Sequence, residues 1–153
     1  MTISRPRTLA VLAAASVAVV GAGLAVPAYA SSHATHTRVV HGHLVESSDF
    51  GWSTGYVSID RDYTAKKVQF ASDITTCRAH SSTATRARCD VALGLRGGLI
   101  TLTFEAVQGA STEHGTVTGG TGEYRHARGS VTIVEGTNGS GPSTADWTLH
   151  VTY

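Results

Sequence analysis

Three side chains in the second half of the chain are of the types that move protons: Glu105, Asp146 and His150. Glu105 alternates with Thr101 and Thr103, and Asp146 and His150 alternate with Thr148 and Thr152. If these stretches are strands, each set shares one polar face, because side chains alternate with a period of two. Pointing inward, the three form an acid–base set that can protonate or polarise a substrate. Pointing outward, they are solvated. Arg128 offers a guanidinium that can pin an oxyanion or a buried carboxylate, or form a structural ion pair. Glu123 and Arg125 sit in a glycine-rich turn, where solvation is the plain expectation.

The histidines suggest a second chemistry. Cleavage after Ala30 would create the terminus Ser31-Ser32-His33. A free amine, two amide nitrogens and a third-position imidazole form a square-planar set suited to Cu(II) or Ni(II), so His33 is a weak metal candidate. His41 and His43 follow on one strand face. The same residues also read as a polar tail with incidental histidines. Asn138-Gly139-Ser140 matches a glycosylation acceptor or a simple turn.

These residues need a scaffold, and the first thirty are not part of it. Arg5 and Arg7 precede an apolar run from Leu9, and Pro27 leads into Ala28-Tyr29-Ala30. This is the layout of a secretory signal peptide spanning 1–30. A flexible tail, 31–37, and one domain, 38–153, are expected after it, in a secreted protein. Loss of Arg5 and Arg7 takes the formal net charge from +1 to −1. No basic stripe is left for nucleic acid, and no amphipathic face for a membrane. Cys77 and Cys89 are the only cysteines. In an exported chain they read as one disulfide closing a short loop, worth roughly 3 kcal/mol, since no CxxC spacing points to catalysis or metal.

The domain reads as all-β. Strands are expected at 38–46, 55–62, 67–75, 90–96, 99–107, 112–118, 127–135 and 145–152, separated by Gly, Ser, Asn or Asp. Gly97-Gly98 marks a tight hairpin. Eight short strands with short connections predict an antiparallel barrel or sandwich, and closure would leave no exposed edge. In three strands one face is apolar: Ile100, Leu102 and Phe104; Ala145, Trp147, Leu149 and Val151; and Val68, Phe70 and Ile74. The plain assignment puts these faces in the core and the polar faces in solvent. The other lets part of the polar face line a wet cavity or a subunit contact.

Gly119-Gly120-Thr121-Gly122, Tyr124 and Ala127-Arg128-Gly129, followed by Ser130-Val131-Thr132-Ile133, resemble the GGTG-x-aromatic-x-x-ARG signature of the dirigent and allene oxide cyclase barrels. The strand Leu99 to Phe104 resembles the one that leads into this element. A phosphate loop does not fit, as no lysine follows the glycines. The resemblance implies a single eight-stranded antiparallel β-barrel, often trimeric, with a pocket at its mouth. It implies chemistry without a cofactor: dirigent proteins steer phenoxy-radical coupling, and allene oxide cyclases close a fatty-acid epoxide. By position in the motif, Tyr124 and Arg128 become candidate ligand-binding residues, with packing as the alternative for Tyr124. No carboxylate here is matched to the acidic pocket residues of plant dirigent proteins.

The function expected is a secreted, dirigent-like barrel that binds a small hydrophobic or phenolic molecule and can steer its reaction. A cofactor-free cyclase or isomerase and a non-catalytic structural barrel are the alternatives. A wide cavity would favour the first two, and a perturbed carboxylate or histidine inside it would favour the enzyme. A filled interior would favour the third.

Overall fold

In a computed structural model, residues 35–136 and 142–153 are described. The proposed signal peptide, His33 and Asn138-Gly139-Ser140 lie outside the described residues.

Eight strands follow in order: β1 (Thr37–Trp52), β2 (Gly55–Tyr63), β3 (Gln69–Arg78), β4 (Arg86–Leu95), β5 (Gly98–Val107), β6 (Thr112–Gly120), β7 (Arg128–Glu135) and β8 (Thr144–Thr152). Each pairs antiparallel with the next, and β8 pairs with β1, which closes the barrel. Closure leaves every strand with two neighbours and no free edge. The expected strands are present, most within three residues of their predicted limits. The main difference is β1, which runs on to Trp52 because a register shift between Glu46 and Ser48 absorbs the Ser47-Ser48-Asp49 break as a bulge.

The core is Leu93, Ile100, Leu102, Val117, Val131, Trp147, Leu149 and Val151, joined by Tyr124 and Ala127. The apolar faces of β5 and β8 therefore point inward, as the plain assignment has it. In β3 the assignment holds only for Phe70, which packs partly buried against Trp147, and is reversed for Val68, just before the strand, and for Ile74. Ala71, Asp73, Thr75 and Cys77 are buried, and Ile74 faces out, 50% exposed. Its cross-strand partner Ile59 is 49% exposed, while Ser58, Asp60 and Asp62 on β2 are buried. Over Ser58–Asp62 and Asp73–Thr75 the barrel is polar inside, with Ile59 and Ile74 outside.

One end of the barrel is shut by the glycine-rich motif. A single 3-10 turn, Gly122–Tyr124, follows β6. It is pinned to the β4–β5 turn by three bonds. Thr121 N–H donates to the Leu99 carbonyl (2.9 Å), Leu99 N–H donates to Thr121 Oγ1 (3.1 Å), and Glu123 N–H donates to the Gly97 carbonyl (3.0 Å). Gly122, at φ +60°, must be glycine, because a Cβ there would overlap the Gly97 carbonyl. The turn drops Tyr124 into the barrel end. Its ring meets Tyr153 edge-on at 4.8 Å, and its hydroxyl donates to the Arg96 carbonyl at 3.1 Å.

Candidate functional site

The opposite end is open. Lined by β1, β2, β3, β4, β5, β7 and β8, a cavity of about 340 Å³ lies towards this end. Its apolar wall includes Val91, Leu102, Phe104, Val131 and Ile133, and its polar groups come mainly from β1, β2 and β3.

The polar wall is built as rungs. Strands β2 and β3 pair in a register that sets Ser58 opposite Thr75 and Asp60 opposite Asp73. Period-two alternation aims all four inward, with Asp62 one rung deeper. Ser58 Oγ donates to Asp60 Oδ2 at 2.9 Å, and Thr75 Oγ1 donates to Asp73 Oδ1 at 2.9 Å. Below them, Trp147 Nε1–H donates to Asp62 Oδ1 at 2.8 Å. At the top of the same face, Cys77 and Cys89 sit opposite each other on β3 and β4 and form a disulfide, as their count predicted.

Burial sets the charge state of this wall. It pushes Asp73 up to about 8, helped by the neighbouring charges of Asp62 and Asp60. Burial also raises Asp62, to about 6, against the opposing pull of the Trp147 hydrogen bond. Asp60 moves in the same direction for the same first reason, opposed by the hydrogen bond from Ser58 and by the polar Asp73 carboxyl across the rung. At the mouth, Glu135 is pushed up to about 6 by partial burial and by Glu113 beside it. Partial burial, with the charges of Glu135, Asp60, Glu113 and Glu46, takes Tyr56 up to about 12. Near neutral pH the Asp60–Asp73 rung thus retains a proton, with Asp73 the more strongly raised of the two, and that proton can be donated to a bound molecule.

The residues singled out from sequence lie elsewhere. Glu105 is on the outer face of β5, where Arg86 Nη1 donates to it at 2.9 Å. Asp146 is on the outer face of β8, 2.8 Å from His43 Nδ1. His150 is also exposed on β8, and the three do not converge. Tyr124 plugs the closed end, and Arg128 is exposed where β7 begins at that end, so neither lines the cavity. His41 faces outward and bonds Thr148 at 3.0 Å. The acids that do line the wall were missed, although a signal existed. Ser58, Asp60 and Asp62 alternate with Val57 and Ile59, and Asp73 and Thr75 flank Ile74. Period two fixes which residues share a face, but not which face is inside.

No family model matches the chain, and no curated protein matches it by sequence. Solved structures do share the fold. A pyocyanin demethylase superposes with a TM-score of 0.61 at 18% identity, over 74% of this chain and 99% of its own. A pterocarpan synthase dirigent protein gives 0.56 at 13% identity, over 78% of this chain and 86% of its own. An exo-specific intermolecular Diels-Alderase gives 0.53 at 16%, over 76% and 98%. At these identities the likeness establishes the barrel fold, in agreement with the resemblance of the glycine-rich motif.

Proposed function

We propose that the protein is a secreted container that takes a small hydrophobic molecule into the open end of the barrel and steers its reaction. The carrying observation is the cavity itself. It is concave, mainly apolar, set in a barrel plugged at its other end by Tyr124, and holds a few convergent polar groups, which is the usual build of a small-molecule site. A structural barrel would fill this space with side chains. Proteins of the same fold carry names that describe work on small molecules, a demethylase, a pterocarpan synthase and a Diels-Alderase, and this supports the reading by analogy alone. Export agrees with the disulfide, and no helix among the described residues is long and apolar enough to cross a membrane. The homotrimer implied by the resemblance would have the exposed Ile59–Ile74 face available for its contact.

Asp73 favours a second reading. A carboxyl that keeps its proton near neutral pH inside an apolar cavity is fit to act as a general acid, which would make the container a cofactor-free cyclase or isomerase. In that case Glu105, Asp146 and His150 take no part.

Native mass spectrometry on protein secreted by its own host tests the container. The expected result is a co-purified small molecule that leaves on denaturation. Overturning it takes an empty protein that also fails to bind any apolar aromatic probe.

A further inference from the structure

We propose, on the reading that the cavity holds a small apolar ligand, that this ligand is an organic cation. It would be a flat apolar body with a fixed positive charge, the charge set against Asp60 and Asp73 and the body against the apolar wall. Charge balance is the first argument. Among the described residues the lining contains Glu46, Asp49, Asp60, Asp73 and Glu135, and no lysine, arginine or histidine. Three basic side chains pair with acids on the outer surface instead: His43 with Asp146, Arg86 with Glu105 and Arg88 with Asp90.

Asp60 is the second and independent mark. It is 2% exposed. Its Oδ2 accepts from Ser58, but its Oδ1, buried within the wall, has no hydrogen-bond partner. A buried carboxylate oxygen in that condition is costly unless something positive comes to it. A proton held in the rung is a partial remedy. A ligand cation is a fuller one, because it interacts with both members of the rung at once. An anion would be set against the carboxylates with no cationic side chain among the described lining residues to receive it, and a neutral hydrocarbon would leave Asp60 as it is.

The rest of the wall narrows the class. Phe104, Tyr56 and Trp147 bring aromatic rings to the same cavity, and a cation over a ring face gains further attraction. Among the described residues no group of three or more His, Cys, Asp or Glu side chains is arranged to hold a metal ion. An apolar wall also offers nothing to a hydrated ion. A delocalised or alkylated nitrogen on a flat apolar frame suits both halves of the cavity.

Four probes of one shape test this on the disulfide-intact protein expressed from the whole chain: N-methylquinolinium (cation), 1-methylnaphthalene (neutral), 1-naphthol (neutral donor) and 1-naphthoate (anion). Affinities are read by fluorescence or calorimetry. The cation should bind at least about tenfold tighter than 1-methylnaphthalene, and naphthoate more weakly than either. Asp60→Asn should bring the cation-to-neutral ratio close to one, while Glu105→Gln on the outer face should leave it unchanged. If the neutral probe or naphthol binds as tightly as the cation, the cation inference falls and the container stands. If none binds, both fall. The wild-type comparison decides even if Asp60→Asn does not fold.

Discussion

Trp147 and Asp62, 85 residues apart in sequence, meet inside the barrel through a 2.8 Å bond from the indole N–H to a carboxylate oxygen. The bond fixes the indole across the interior as part of the cavity wall. Gly42, the neighbour of Trp147 on β1, makes this possible, since a Cβ there would overlap the indole ring. Asp62→Ala should strand a buried donor and cost about 1–3 kcal/mol in urea unfolding. Asp62→Asn keeps an acceptor oxygen and removes a buried charge, so it should be close to neutral at pH 7. Equal losses for the two variants would show that the hydrogen bond is not what matters there.

The carboxyl wall predicts how stability changes with pH. Asp73 and Asp62 have folded-state values of about 8 and about 6, above the ordinary Asp value. The folded state therefore binds more protons than the unfolded state between roughly pH 4 and 8, and stability falls as pH rises through that window. Melting temperature should drop from pH 5 to pH 8.5, by about 4 °C or more for each kcal/mol lost. Asp73→Asn should flatten the slope and raise the melting temperature at pH 8.5. A wild-type curve that rises across the window would show that these acids ionise freely in the folded barrel.

The Cys77–Cys89 bridge joins adjacent strands at the open end and closes a loop with a sequence separation of 12. Its loss should cost roughly 3 kcal/mol by loop-closure entropy. The Cys77→Ala/Cys89→Ala protein, compared with the oxidised wild type by urea denaturation, measures this. Because strand pairing on both sides is extensive, the variant should still fold, with the loop at 79–85 more open to proteolysis.

Much of the barrel was legible in the sequence. Turn residues and β-rich runs mark all eight strands, and glycines at 120, 122 and 129 mark the plug and the strand after it because close backbone approaches there exclude side chains. The candidate site was not legible, for a specific reason. Ile74 and Asp73 define two faces of β3, and the default that apolar means inside sends Asp73 outward. That default holds for β5 and β8 and fails over Ser58–Asp62 and Asp73–Thr75, where the closed barrel spends its interior on polar groups and leaves Ile59 and Ile74 on the surface. The choice depends on how eight strands divide one interior, and no single strand carries that information. The same default left Glu105, Asp146 and His150 looking like a possible set. They share polar faces, but those faces are outside.

Filling the cavity separates container from scaffold. Ile133 lies in the wall near the open end and is only partly buried, so a larger side chain there has room to turn into the empty space. Ile133→Trp should keep the fold, at an overpacking cost of about 1–3 kcal/mol. It should also weaken binding of whichever apolar probe the wild type takes by tenfold or more. Val134→Trp, the next residue and exposed on the outer face, supplies the matched control and should leave binding unchanged. If Val134→Trp weakens the probe as much as Ile133→Trp does, the molecule binds on the barrel's outside, and the interior acids serve some purpose other than holding it.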